Sequence, residues 1–232
     1  MKKLIDKRNY IILFIIVLLI IWIFFLKNNT YIKSFNFKDI IITYVIYDKI
    51  DSKKVSSEIK KIYKKYQNDS LSEKSRKYIS DKTQGHLNDT KNYLAIYSTN
   101  EVLKYFKSSS IKKYMVNVDG DVILGDRYSS HDYSVSIHDP EDNSVIKIVH
   151  FSNKALSSIS YLDLNDDRKD YDMVSVICDD IVTSNIVSNY LYYLSIDEGK
   201  EVLSKNECDG LWYKNGKIYT SSNFSKYFNK KL

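Results

Sequence analysis

Acidic side chains crowd one short stretch of the sequence, YLDLNDDRKDYDMV at residues 161–174, with a spacing that could bind a metal ion. A calcium loop takes side-chain oxygens from its first, third and fifth positions and a further acid near its end. The segment offers oxygen-bearing side chains in this order, followed by two late acids that suit a shorter loop. The five candidate ligands are Asp163, Asn165, Asp167, Asp170 and Asp172. Calcium is therefore the candidate cofactor.

The segment also departs from a calcium loop in two places. Arg168 stands at the sixth position, where the sharp turn of the loop favours glycine, and Val174 stands at the twelfth, where an acid is expected. The segment resembles the DxNxDG loops of calcium-binding repeat proteins over about ten residues, but it lacks their glycine and assigns no family. These departures favour the alternative, a hairpin turn whose Asp and Asn side chains bond their own backbone.

Motifs of familiar enzyme classes are missing from the sequence. It contains no GxSxG, HExxH or GxGxxG pattern. The stretch GDVILGDR at 120–127 has two glycines of a phosphate loop, but Asp126 and Arg127 replace the lysine and the hydroxyl residue that such a loop needs. The sequence therefore favours a non-enzymatic protein.

Two further groups could bind a metal or form a crosslink. His131, Asp132 and His150 could ligate zinc if two strands brought them together, although a surface His–Asp contact is the simpler interpretation. Cys178 and Cys208 are the only cysteines and lack the CxxC spacing of redox and zinc sites. In an oxidising compartment they are candidates for a disulfide, and the alternative is a pair of buried thiols.

An apolar run near the N-terminus indicates a membrane anchor. Residues 10–26, YIILFIIVLLIIWIFFL, contain no charge, glycine or proline. As a helix they would span about 25 Å, close to the thickness of the hydrocarbon core of a bilayer. The following KNNTYIKS contains no small-residue cleavage site, so we expect an uncleaved signal anchor and a single transmembrane helix.

The charges around this run predict its orientation. Four basic residues lie within positions 1–9, and positive charge favours the cytoplasmic side. We therefore expect residues 1–9 to be cytoplasmic and the chain from about residue 31 to lie outside the cytoplasm, at the cell membrane. The membrane is the first expected partner and another envelope protein is a candidate second one. Nucleic acid is not expected, because the C-terminal half is acidic.

Charge and strand pattern divide the rest of the chain into two parts. Residues 27–118 carry a net charge of +10 and mix helix and strand, whereas residues 119–232 carry −7 and alternate strands with turns. In the first part we expect helices over 53–66 and 101–108 and strands over 37–48, 92–99 and 111–119. The fold class is therefore α+β: an N-terminal transmembrane helix, a small mixed α/β region, and an antiparallel β-rich domain built as a sandwich or meander.

The sequence supports one functional prediction and two alternatives. The prediction is a single-pass membrane-anchored protein whose extracytoplasmic part is a binding or assembly module. One alternative is a calcium-stabilised β domain. The other is an envelope surface hydrolase, which would use acids of the Asp-rich segment if one of them were buried enough to shift its pKa.

Overall fold

One antiparallel sheet of eight strands forms the centre of the fold and draws strands from both the basic and the acidic parts of the sequence. In chain order the strands are β1 (Tyr31–Phe37), β2 (Ile40–Ile46), β3 (Tyr114–Val118), β4 (Asp121–Leu124), β5 (Tyr133–His138), β6 (Val145–Phe151), β7 (Ala155–Ser160), β8 (Met173–Cys178), β9 (Asp209–Lys214) and β10 (Lys217–Thr220). The order across the sheet is β1-β2-β3-β4-β7-β8-β9-β10, while β5 and β6 form a separate hairpin.

The computed structural model describes residues 30–67, 72–127, 129–164 and 171–229. The unit Tyr31–Leu232 is compact. Within the described ranges no helix is long and apolar enough to cross a membrane, and the apolar run at 10–26 lies outside them. The transmembrane helix therefore stays a prediction.

Helices cover one face of the sheet. They are α1 (Ser52–Tyr66), α2 (Glu73–Lys82), α3 (Tyr93–Ser108), α4 (Tyr161–Leu164), α5 (Ile181–Leu191) and α6 (Ile196–Lys205). Helix α5 is buried along its whole length, and Asp180 begins it by accepting a hydrogen bond from the Thr183 amide at 2.8 Å. The Ser184 hydroxyl donates to the Val176 carbonyl at 2.7 Å, so a small side chain lets α5 lie close against β8.

The other face of the sheet is covered by the β5–β6 hairpin and a 3₁₀ turn at Phe224–Tyr227. Because successive strand residues point to opposite faces, Ile123 packs toward the helices while Val122 and Leu124 pack with the hairpin. Strand β8 has both faces covered, and all six of its residues are buried. The sheet is therefore a rigid middle layer that can fix the positions of side chains at its edges and ends.

The expected α+β class with a large antiparallel sheet is confirmed, but its strands are not divided between two parts as the charge pattern suggested. The expected boundary between residues 118 and 119 falls in the turn that joins β3 to β4. Asp119 and Gly120 have φ angles of 52° and 97° there, which a tight turn requires. The acidic part does not form a sandwich of its own, because β4 pairs with β3 on one side and β7 on the other.

Two segments predicted as strands are helical. Residues 93–99 of the first, which spans 92–99, belong to helix α3. The second, YLYYLSI at 190–196, is expected from the sequence to pair with KEVL at 200–203, but it contains the end of α5 and the start of α6, and KEVL lies within α6. Tyrosine and β-branched residues suggested strands in both places. In α3, however, Ile96, Thr99 and Phe106 are buried at helical spacing, so burial of one helical face outweighs the local preference.

The stretches YSVSIHDPEDNSVIKIV at 133–149 and LWYKNGKIY at 211–219 predict β-hairpins, and both form, the first with a change of register. The Asn215–Gly216 turn pairs Tyr213 with Ile218 and Trp212 with Tyr219, as predicted. The β5–β6 hairpin is shifted by two residues, so that Tyr133 lies opposite Phe151 and not Val149. Its loop runs from residue 139 to 144 and is preceded by a bulge at Ile137 and His138.

A disulfide joins Cys178, at the end of β8, to Cys208, just before β9, across a separation of 30 residues. Closing a loop of this size contributes about 3–4 kcal/mol in the chain-entropy model. We expect reduction to lower the melting temperature by roughly 10 °C. The control is the double variant Cys178→Ser/Cys208→Ser, which should melt at the same temperature with and without reductant. A wild-type protein that is equally insensitive to reductant would contradict the crosslink.

Candidate functional site

Polar side chains from three separate segments meet inside the fold. Asp121 is the first residue of β4 and is 7% exposed, and Asn185, in the middle of α5, is 1% exposed. Thr90 and Lys91 come from the loop just before α3. Buried polar groups need partners, and these residues find them in one another. We call Thr90, Lys91, Asp121, Asn185 and Asn189 the polar network.

The amide of Asn185 is the centre of the polar network. Its Nδ2 donates to Asp121 Oδ2 at 3.1 Å and to the Lys91 carbonyl at 3.0 Å. Its Oδ1 accepts from the Thr90 hydroxyl at 2.5 Å. Both neighbours of Nδ2 are acceptors, so the opposite orientation of the amide would bring oxygen against oxygen. The orientation is therefore fixed by the partners.

A second amide fastens the same loop to α5. Asn189 Oδ1 accepts from the Lys91 backbone N–H at 3.2 Å, and its Nδ2 donates to the Asn185 carbonyl at 2.8 Å. Asn92, with a φ of 59°, then starts helix α3. The two amides therefore set where α3 begins and where the Lys91 side chain leaves the backbone.

Burial gives the carboxyl of Asp121 an unusually high pKa. Loss of solvent raises the pKa of its carboxyl to about 6, although hydrogen bonds from Ser157, Ser158 and Asn185 and the charge of Lys91 act to lower it. The Ser158 amide donates to Oδ1 at 3.1 Å. A carboxyl with this pKa can exchange a proton near neutral pH.

The ammonium of Lys91 lies among carboxylates. Its Nζ is 2.6 Å from Asp163 Oδ1 and 3.8 Å from Asp119 Oδ2. Burial acts to raise the pKa of Asp163, but the bonds from Lys91 and Ser160 outweigh it and lower that pKa. Lys91 is partly exposed, so its positive charge is available at the surface of the polar network.

The predicted calcium ligands that the structure describes lie in different surroundings. Asp163 lies in α4 and pairs with Lys91, while buried Asp172 accepts from the Asn215 amide at 2.5 Å. Three other candidates, Asn165, Asp167 and Asp170, fall outside the described residues. Among the side chains that the structure describes, no three His, Cys, Asp or Glu residues could hold a metal together. Calcium at this segment stays a prediction.

The histidine cluster considered from the sequence does not assemble. Asp132 pairs with Arg127 Nε at 2.9 Å and accepts from the Ser152 hydroxyl at 2.8 Å. His150 Nδ1 instead contacts the Ser134 hydroxyl at 3.0 Å. The cause is the register of the hairpin, which places Ser134 opposite His150.

A cavity of about 500 Å³ lies near the polar network. Its aromatic lining consists of Tyr66, Tyr78, Tyr93 and Tyr97. The rings of Tyr93 and Tyr97 are stacked at 6.1 Å, and Tyr66 meets Tyr97 edge-on at 5.7 Å. Small-molecule sites commonly have this volume and an aromatic lining, and tyrosine faces suit a flat ring. We call this space the tyrosine cavity.

Two helices connect the tyrosine cavity to the polar network. Val182 lines the cavity, and Asn185 follows three residues later on α5, a rise of about 4.5 Å. Tyr93 lines the cavity and Lys91 comes two residues before it. None of the five residues of the polar network lines the cavity itself, so the two are linked through α5 and the start of α3.

Sequence reasoning missed most of this site. Asp121 lies in GDVILGDR, whose glycines indicate only an incomplete phosphate loop, and no motif marks Lys91. One signal was present: Asn185, Ser188 and Asn189 recur at helical spacing within the otherwise apolar IVTSNIVSNYL. That pattern identifies a buried polar stripe only when the segment is recognised as a helix.

Comparison with known proteins shows the fold to be that of flavin transferases. No protein-family model matches the sequence, and no curated protein matches it. Solved structures do match, and ApbE proteins from three organisms are among them. The flavin transferase ApbE from Vibrio cholerae is 13% identical, with a TM-score of 0.66 over 86% of this chain and 99% of that one. The flavinyl transferase ApbE from Pseudomonas stutzeri is 12% identical, with a TM-score of 0.66 over 87% and 98% of the two chains. The ApbE protein from Thermotoga maritima is 11% identical, with a TM-score of 0.69 over 87% and 100%.

This match overturns the function predicted from the sequence. The described chain has the fold of a group of enzymes over almost their full length, and not an isolated β-rich module. The predictions of a membrane-surface binding or assembly module, a calcium-stabilised β domain and an envelope hydrolase are therefore wrong, as is the expectation of a non-enzymatic protein. Short contiguous motifs could not reveal the site, because its residues come from three distant segments.

The pKa of Asp121 predicts a specific pH dependence of stability. The pKa rises from 3.8 to about 6 on folding, so the ionised carboxyl costs the folded state roughly 3 kcal/mol above pH 6 and nothing below the unfolded value. Between these limits the free energy of unfolding of the wild type should fall, relative to Asp121→Asn, as the pH rises. Urea unfolding of both proteins across this range measures the difference. A difference that does not change with pH would contradict the buried, ionisable carboxyl.

Proposed function

We propose that this protein is an enzyme that binds a flavin nucleotide and transfers its flavinyl group to an acceptor. The observation that carries the proposal is the tyrosine cavity beside the polar network, within a fold similar to that of proteins named flavin transferases. The two parts of the site match the two parts of a flavin nucleotide, which joins a flat ring system to phosphate.

The tyrosine cavity suits the ring. Its volume of about 500 Å³ lies in the range of small-molecule sites. Tyr78 is 42% exposed, and burial raises the pKa of Tyr93 to about 12, so that tyrosine is neutral at physiological pH. Neutral aromatic faces favour stacking on a planar heteroaromatic ring.

The polar network suits the phosphate end. The Lys91 ammonium would offset phosphate charge, exchanging part of its contact with Asp163 for the ligand. Transfer of the flavinyl phosphate from FAD breaks the P–O bond of the pyrophosphate, with AMP as the leaving group, and forms a P–O bond to an acceptor hydroxyl, whose proton needs a base. Asp121 is mostly ionised at neutral pH and would be that base. The roles assigned are therefore charge compensation for Lys91 and proton acceptance for Asp121.

The apolar run at residues 10–26 supports a place for this activity. As a transmembrane helix with a cytoplasmic N-terminus, it would hold the enzyme at the outer side of the cell membrane. The acceptor would then be another protein of the envelope. This location is part of the proposal and rests on the sequence alone.

Stacking in the tyrosine cavity can be tested by binding. Tyr78→Ala should weaken the affinity for FAD by about threefold to tenfold, because it removes one aromatic face. The dissociation constant is measured from quenching of flavin fluorescence by the full-length protein. Tyr219→Ala is the matched control, since Tyr219 is 41% exposed and lies on β10, away from the cavity lining. Equal affinities for the two variants would place the ring elsewhere.

The role of Lys91 can be tested by turnover. Lys91→Met should lower the release of AMP from FAD by roughly 10²-fold or more, as expected when a charge that stabilises a transition state is removed. Lys104→Met is the control, because Lys104 lies on α3, the helix that follows Lys91, but pairs with Glu101 at 2.5 Å. Normal turnover by Lys91→Met would show that Lys91 takes no part in the mechanism.

A wild-type protein that neither turns over FAD nor labels an envelope protein with flavin would refute the proposed function.

A further inference from the structure

We propose that Asn185 closes the Asp121 site to divalent cations, so that Asp121 is held by a neutral hydrogen-bond donor, the Asn185 amide, and the positive charge at this site comes from the Lys91 ammonium alone. The inference concerns the same site as the proposed function and rests on it only for the nature of the substrate. The metal-binding property itself follows from the contacts of the described residues.

A metal is the natural alternative at such a site. Proteins that act on phosphate esters commonly bind Mg²⁺ through one or two carboxylates together with the phosphates of the substrate. Asp121 is the carboxylate of the polar network, and both of its oxygens accept hydrogen bonds, from the Ser158 amide and from Asn185. A metal at Asp121 would have to replace the Asn185 contact.

The amide of Asn185 presents the wrong atom to a metal. Its Nδ2 lies 3.1 Å from Asp121 Oδ2 and 3.0 Å from the Lys91 carbonyl oxygen. An amide nitrogen donates hydrogen bonds and does not ligate Mg²⁺ or Mn²⁺, which bind oxygen. Rotating the amide would place its oxygen against two acceptors and break the bond from Thr90. The network is satisfied as it stands, and it excludes a cation.

The same geometry shows what a cation would need. The Asn185 nitrogen stands where Asp121 Oδ2 and the Lys91 carbonyl oxygen converge. The substitution Asn185→Asp replaces that nitrogen by oxygen without changing the shape of the side chain. Three oxygens would then face one point, two of them carboxylate, and a divalent cation would relieve their repulsion. Replacing the Asn185 side-chain nitrogen by oxygen would therefore be enough to create a metal site.

Lys91 supplies the positive charge of the site from a partly exposed side chain. Its Nζ contacts Asp163 at 2.6 Å and lies 3.8 Å from Asp119, and both carboxylates are nearer to solvent than Asp121. Loop residues held by α5 keep the Lys91 backbone in place while its side chain remains partly exposed. A substrate phosphate would thus meet an ammonium in place of a metal.

The test compares the melting of two proteins with metal and with chelator. Full-length wild type should melt within about 1 °C of the same temperature in millimolar Mn²⁺ and in EDTA, because nothing binds at Asp121. Asn185→Asp should gain about 5 °C or more in Mn²⁺, since a ligand that binds only the folded state raises its stability. Electron paramagnetic resonance of Mn²⁺ would show bound metal in the variant and free metal in the wild type.

Asn189→Asp is the matched control, because it adds the same charge one turn further along α5, where the residue contacts the Lys91 amide and no carboxylate. It should gain no stability from Mn²⁺. The proposal is overturned if wild type is stabilised by Mn²⁺ and Asp121→Asn abolishes the effect, or if Asn185→Asp folds and binds no metal. If Asn185→Asp does not fold, the wild-type result decides alone. Because melting needs no flavin, failure of this inference is distinguishable from failure of the proposed function.

Discussion

Two buried amides on helix α5 hold the loop at residues 90–91, and the candidate site depends on this attachment. Asn185 and Asn189 bind both the backbone and the side chains of that loop. The attachment determines where α3 begins, which places Lys91 on one side and Tyr93 on the other. Without it, the polar network and the tyrosine cavity would have no fixed relation to each other. In the interior such contacts are strong because no water competes for them.

The sheet makes this attachment possible. Helix α5 is buried at every residue, and Ser184 and Ser188 meet Val176 and Ser157 on the neighbouring strands through their hydroxyl groups. On the far side of the sheet, the β5–β6 hairpin and the 3₁₀ turn exclude water from the same strands. A covered middle layer is stiff because close-packed side chains cannot shift independently. The functional side chains therefore stand on a support that moves little.

A site of this kind suits a protein that recognises both halves of a flavin nucleotide. Flat aromatic walls discriminate by shape and stacking, whereas the polar network discriminates by charge. In the proposed function the two would recognise different parts of one ligand. Asp121 and Lys91 have opposite charges and different accessibility, which would separate proton exchange in the interior from phosphate contact at the surface.

Local patterns in the sequence determined the elements whose structure depends on near neighbours. The Asn215–Gly216 turn and its pairing follow from two residues that adopt positive φ, and the helix at 53–66 follows from its apolar stripe. The apolar run at 10–26 likewise predicts a membrane anchor from composition alone. The site was decided only by tertiary structure, because the contact of Asp121 with Asn185 joins residues 64 positions apart through the order of the strands. The same holds for residues 92–99, where a strand-like composition forms a helix because only a helix buries Ile96, Thr99 and Phe106 together.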